Sequence, residues 1–242
     1  MKIKYLVCGT GRCGTNYMAR FLTHAGIHCG HESIFDFNGY EEALKKLNGL
    51  KEIKTSKIST LEWTSGKFYD PNWFNPEKIQ AECSYLAAPF LNRKELKDIK
   101  LVHLIRNPMQ VLRSFHKDIN FFDPNNFKNG INNYRNFVIR HFPEINDEKS
   151  LIERSCRYII KWNRAIERSN LEKIKVRLED HPYPEMVNFL GIDSNCCMPN
   201  EKINSWRKVL GIHTVSLEEV PEGETKKEFI DFIKENGYDL SC

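Results

Sequence analysis

Gly9, Gly11 and Gly14 follow a short apolar run in "KYLVCGTGRCGTNYMARFL", and one cation, Arg12, interrupts the loop they make. A glycine loop between a strand and a helix is a cradle for a phosphate, because backbone N–H groups and the positive end of the helix face the anion. Arg12 adds a fixed charge there, and Thr15 and Asn16 add short polar groups at the helix start. A second cation, Arg106, ends the apolar run "KLVHLI" and is followed by Asn107, Pro108 and, eight residues after the arginine, Ser114. A planar guanidinium fork with a hydroxyl about two helical turns further on suits another phosphate. Between the two motifs stand His31 and Glu32, side chains able to take a proton from a reacting group.

The glycines spell G-x-G-x-x-G, the fingerprint of dinucleotide-binding folds, where an acid about 20 residues on binds the ribose hydroxyls. Glu32 stands roughly in that place. Against this reading, residues 27–31 are short and polar for a buried central strand, and Arg12 and Asn16 put polar side chains in a turn that works mostly through backbone approach. A kinase loop needs G-x-x-x-x-G-K-[ST]. Aligned on Gly9 and Gly14, this chain has Thr15 in place of the lysine and Asn16 in place of the metal-binding hydroxyl. A kinase also needs an acid at the end of a later strand to hold magnesium, and here that position is Arg106, which repels a metal. The loop reads as a phosphate loop without magnesium chemistry.

Arg12-Cys13-Gly14-Thr15-Asn16 resembles the [KR]-[SC]-G-T-[TSN] loop of the sulfotransferases that use 3′-phosphoadenosine-5′-phosphosulfate (PAPS). Arg106-Asn107-Pro108 with Ser114 is similar to their second motif, strand, R-N-P and a serine eight residues after the arginine. Looser likenesses lie in "GHE" at residues 30–32, "ECSYLAAPFL" from Glu82, "KWNRAIE" from Lys161 and the closing "ENGYD". The resemblance implies a single α/β domain over residues 1–242, with a central, mostly parallel sheet flanked by helices, the P-loop NTPase-like sulfotransferase fold. It implies PAPS as co-substrate without a metal, and a hydroxyl-bearing acceptor from among glycans, lipids and small molecules. Gly11, Arg12, Cys13, Gly14, Thr15 and Asn16 would hold the 5′-phosphosulfate, and Arg106 and Ser114 the 3′-phosphate. Arg207 and Lys208, in "SWRK", would cover the adenosine end. Arg12 would meet the charge on the departing phosphate, although many cytosolic members have Lys and Ser where this chain has Arg12 and Cys13. Family members carry a His or a Glu as base in this region, so Glu32 and His31 compete, and the "GHE" stretch points to Glu32. Glu82 and Ser84, at a strand end, are expected to face the cleft and touch the acceptor. Two other readings stay open: an NAD(P)-dependent oxidoreductase, and a nucleotide-binding relative without catalysis.

Composition bounds the alternatives. Lys and Arg number 36 against 32 acids in 242 residues, and a net charge of +4 gives no case for nucleic acid. No apolar run approaches the ~20 residues of a membrane helix, and the N-terminus leads into a strand pattern without a signal-peptide core, so a cytoplasmic protein is expected. Eight cysteines without a C-x-x-C pair, and a His213 without partners at ligand spacing, suggest reduced thiols and no metal.

These residues need elements to position them. The apolar periodicity predicts strands at 3–7, 78–85, 100–105 and 174–178, and helices at 15–25, 41–51, from Pro108 to about 117, 150–169, near 184–190 and 226–236. Residues 119–149, rich in Asn, Phe and Pro, read as irregular structure with a short helix, and with residues 33–75 as the source of the acceptor pocket. Arg154, Arg157, Lys161, Arg164 and Arg168 recur at helical spacing and are expected to form a solvated face.

Overall fold

The computed structural model describes residues 3–49, 51–53, 78–118, 122–123, 131–192 and 215–240. β1 (Tyr5–Cys8) is apolar on both sides: Leu6 and Cys8 face one core cluster and Val7 the other, all without exposed surface. That two-sided burial is the signature of a strand inside a parallel sheet. The sheet has five parallel strands in the order β2-β3-β1-β4-β5, with β2 (Cys29–His31), β3 (Ala81–Cys83), β4 (Lys100–Ile105) and β5 (Lys173–Arg177). Val7 lies beside Cys83 on one side and Val102 on the other.

Helices cover both faces. α1 (Thr15–His24) and α6 (Tyr183–Leu190) bury Met18, Phe21, Leu22 and Met186 against Val7, Cys83, Val102 and Leu104. The other face carries α2 (Tyr40–Leu47), α3 (Pro108–Asp118), α4 (Ile131–His141), α5 (Leu151–Glu167) and α7 (Glu224–Glu235) over Leu6, Leu101 and Ile105. His103 of β4 lies on this face against Asn163 of α5 at 2.9 Å, and burial lowers it to about 4, so it is a neutral core histidine.

The strand order decides between the loop readings. In a dinucleotide-binding fold the strand after the glycine loop and its helix lies directly beside the first strand. Here β3 separates β2 from β1, and Glu32 follows a three-residue edge strand. The chain leaves β1 toward β2 on one side and β4 toward β5 on the other. The crevice above the carboxyl ends of β1 and β4 is therefore a switch point, the place where open α/β sheets bind ligands.

Three expectations change. The stretch 78–85 is a strand only at Ala81–Cys83, because the Ser84 hydroxyl accepts the Leu86 N–H and starts the 3₁₀ turn Tyr85–Phe90. Within 119–149, α4 is a full three-turn helix whose Tyr134, Phe137 and Val138 enter the core at i, i+3 and i+4. The basic row of α5 is a seam instead of a solvated face. Arg157 binds Glu148 at 2.6 Å and reaches Thr225 and Glu228 of α7, Arg164 binds Glu167 and Glu235, Lys161 faces Glu144, and Arg154 holds the Glu148 carbonyl. The spacing was read correctly, but acids on neighbouring elements complete it. Arg168 alone of the row stays exposed. No helix among the described residues is long and apolar enough to cross a membrane.

Gly9 ends β1 where no side chain fits: a Cβ there would stand 2.3 Å from the Leu104 carbonyl oxygen and 2.5 Å from Cys13 Sγ. The first neighbour is backbone of β4 and has no rotamer to escape into. Gly9→Ala is expected to cost about 1–3 kcal/mol in urea unfolding, as overpacking of a filled interior does; a stability equal to that of the parent would show that β1 and β4 are not this close.

Candidate active site

The glycine loop turns through two left-handed residues, Arg12 at φ 69° and Gly14 at φ 104°. Cys13 N–H donates to Thr10 O at 3.2 Å and closes the turn, while Gly11 N–H donates to the Tyr158 hydroxyl of α5 at 2.8 Å. Glycine tolerates such a conformation and arginine resists it. Arg12 is held there from α3 and the end of β4. Its Nε donates to Ser114 Oγ at 2.8 Å, and Arg106 Nη1 donates to the Arg12 carbonyl at 3.0 Å, a contact spanning 94 residues of chain. Asn107 caps α3 by accepting from Met109 N–H at 2.9 Å, its own N–H donates to Glu179 Oε1 at 2.9 Å, and Tyr238 holds the other Glu179 oxygen.

The two motifs thus form one site above β1 and β4. Neither α1 nor α3 carries an acid in its first turn; the start of α3 is capped by Asn107 and faced by Glu179, whereas α1 begins at Gly14 with no side-chain cap.

His31 ends β2 and Glu32 follows it at φ 52°. Arg12, Glu32 and His181 are the non-glycine residues with positive φ among the described residues. Strain of this kind gathers at functional sites. His31 Nε2 lies 3.2 Å from Thr15 Oγ1 and 3.5 Å from Glu32 Oε1. The two side chains are 11% and 17% exposed. Burial pushes Glu32 up to about 7 and His31 down to about 4, with Arg20 of α1 adding to the second shift. Near neutrality Glu32 is poised between its two forms and His31 is an uncharged imidazole. That favours Glu32 as the proton acceptor.

Glu82 and Ser84 do not reach a surface an acceptor could touch; both are fully buried. Ser84 donates to Phe35 O at 3.2 Å in addition to its capping bond. Glu82 Oε1 accepts the N–H groups of Ser33 and Ile34 at 2.6 and 2.8 Å. From the other side Lys46 of α2 donates to Ser33 O at 2.9 Å and pairs with Asp36 at 2.7 Å. Gly30 admits Glu82: a Cβ there would lie 2.2 Å from Oε2. The backbone following Glu32 is therefore clamped by a buried acid and a buried base. Lys46, Tyr158 and Glu179 escaped the sequence reading. Tyr158 hides in the apolar row of α5, and nothing distinguishes Lys46 from Lys45 beside it except the inward face of a short helix.

Arg207 and Lys208 lie outside the described residues. Beyond them, the carbonyl of Val215 accepts from Arg113 Nε at 2.9 Å, next to Ser114 on α3. Cys8, Cys13, Cys29, Cys83 and Cys156 carry free, buried thiols. Among the described residues no group of three or more His, Cys, Asp or Glu is placed to hold a metal ion.

No protein-family model and no curated protein matches this chain. Among solved structures, a sulfotransferase from Alicyclobacillus acidocaldarius superposes with a TM-score of 0.43 at 14% identity, over 100% of this chain and 98% of that one.

Burial, opposed by the Ser33 and Ile34 amides and reinforced by Glu32, raises Glu82 to about 8. A carboxyl whose pKa is higher folded than unfolded contributes stability that is complete below 4.5 and is lost as pH rises through about 8. Glu82→Gln keeps the acceptor oxygen and removes the titration. Urea unfolding of the two proteins across this range should show the parent losing stability relative to the variant toward alkaline pH. Parallel curves would mean that Glu82 is ionised throughout.

Proposed function

We propose that the protein is a PAPS-dependent sulfotransferase that moves a sulfuryl group to an acceptor hydroxyl. The observation that carries this reading is the junction of Arg12, Ser114 and Arg106, which joins the RCGTN loop and the RNP motif into one cationic site. The positive φ of Gly14 and the uncapped, acid-free start of α1 suit the 5′ anion of a nucleotide, and the Arg106 guanidinium before α3 suits a separate 3′ anion. The bound donor would supply the sulfuryl group and leave as adenosine 3′,5′-bisphosphate. The amides at the start of α1, with Arg12 and Thr15, hold the 5′ end and meet the charge that grows on the bridging oxygen. Arg106 and Ser114 hold the 3′-phosphate. Glu32 takes the proton of the acceptor hydroxyl, for which its environment keeps it near 7. Against an NAD(P)-dependent oxidoreductase stands the edge position of β2, which removes Glu32 from the place of a ribose-binding acid.

Adenosine 3′,5′-bisphosphate should stabilise the protein in thermal unfolding without Mg²⁺, by about 2.7 kcal/mol at a hundredfold excess over its Kd. Stabilisation by Mg-ATP alone, or by NADH alone, would sink the proposal. Arg106→Ala should weaken the bisphosphate by about 2–5 kcal/mol, the cost of breaking a buried charged pair. Adenosine 5′-phosphate should lose far less, retaining only the effect of the released Arg12 carbonyl.

Glu32→Gln preserves shape and removes the proton acceptor. Its bisphosphate affinity should stay within about threefold, while transfer falls by about 10²–10⁴, the worth of a positioned base. Full turnover in this variant, measured with any acceptor found by screening glycans, lipids and small molecules, would take the role of base away from Glu32.

A further inference from the structure

His31 stands between the two halves of the site and has only one nitrogen directed at them. Nε2 faces the Thr15 hydroxyl at 3.2 Å and the Glu32 carboxyl at 3.5 Å, while Nδ1 is buried and meets no hydrogen-bond partner. The tautomer follows. An ionised carboxylate only accepts, so the nitrogen beside it must carry the proton. Placing the proton on Nδ1 would instead bury a donor with nothing to receive it, and orphaned buried N–H groups are rare. Nε2–H is one hydrogen: Thr15 Oγ1 is its hydrogen-bond partner, and the Glu32 carboxyl waits at 3.5 Å, within reach of the same hydrogen.

We propose that His31 is a positioning residue that divides its single Nε2–H between Thr15 of the phosphate loop and the Glu32 carboxylate, coupling the loop to the base. This deepens the reading of Glu32 as base and of the loop as donor site, and rests on it. A hydrogen bond from Nε2 to Glu32 would favour the ionised carboxylate, so whatever draws Nε2–H toward Thr15 raises the affinity of Glu32 for a proton. A phosphate that accepts the Thr15 hydroxyl hydrogen does so, because a hydroxyl that donates becomes a better acceptor. The base would then strengthen when the loop is occupied. Other groups face the pair as well: Arg20 from α1 acts on His31, while Glu82 from β3, Tyr85 from the turn Tyr85–Phe90 and Tyr134 from α4 sense Glu32, and Arg12 also acts on Tyr85.

The test is ring ¹⁵N NMR of the full-length protein labelled at histidine, with His31 assigned from its loss in His31→Gln. From pH 5 to 8.5 His31 should remain the neutral Nε2–H tautomer, and its Nε2 shift should show a step near 7 that disappears in Glu32→Gln. Thr15→Val, or Thr15→Ala if the first does not fold, should lower that midpoint by roughly half a unit to one unit, the worth of a strengthened charge-assisted hydrogen bond. Thr15→Ser should leave it unchanged. Adenosine 3′,5′-bisphosphate should raise the midpoint more in the parent than in Thr15→Val. A Nδ1–H tautomer, protonation of His31 near 6.5, a step that disappears only in Glu82→Gln, or a midpoint indifferent to Thr15→Val would each overturn the proposal. If the bisphosphate does not bind, the donor assignment fails, while the variants without ligand still decide whether Thr15 and Glu32 share the proton.

Discussion

Arg106 donating to the carbonyl of Arg12 is the contact on which the rest of the site depends. A non-glycine residue in the left-handed region costs about 1–3 kcal/mol, and Arg12 adopts it at φ 69°. A hydrogen bond to a charged donor contributes about 1.5–3 kcal/mol, and Arg12 takes part in two, one through its carbonyl and one through its guanidinium to Ser114. Together the two bonds outweigh the strain, so the loop conformation is sustained by the second motif and not by its own turn propensity. Register makes this possible: Cys8 of β1 lies beside His103 of β4, which brings Gly9 and Arg106 out at the same end of neighbouring strands. Loss of that pairing would separate the two arginines and return the loop to an ordinary turn.

Glu32, the proposed base, is held by a different device. Glu82 reaches through the space left by Gly30 to bind two successive amides after Glu32, and Lys46 takes the carbonyls of the same residues. Burying a carboxyl and an ammonium in this way brings little net stability, since desolvation offsets most of what their hydrogen bonds contribute. What it secures is direction: peptide groups fixed on both sides cannot rotate, and Glu32 is kept at φ 52° facing the site.

Residues that must turn the chain or cap a helix were legible from sequence because their demands are local. A left-handed position calls for glycine, and a strand end followed by Asn-Pro calls for a helix. The glycine loop, the RNP turn, β4 and α5 all follow such signals. What depends on a neighbour far along the chain was not legible. Nothing local places β3 between β1 and β2, turns Glu82 away from the cleft, or brings Glu228 and Glu235 onto the basic row of α5. The short helix expected within 119–149 exists as α4, but its three-turn length was hidden for another reason: Asn and Arg between its aromatics masked the spacing of Tyr134, Phe137 and Val138, which a facing aromatic cluster reveals.

Strand order also explains how one site keeps cations and a weakly acidic base together. An arginine beside Glu32 would drag its pKa down and leave it a poor proton acceptor near neutrality. The loop cations follow β1 and β4, whereas Glu32 follows β2, two strands from β1. β3 fills the interval with Cys83 and the buried Glu82, and burial is accordingly the cause of the Glu32 shift. The insertion of β3 therefore sets the proposed base on a different strand from the proposed anion loop, and the imidazole of His31 stands between Glu32 and Thr15 of that loop.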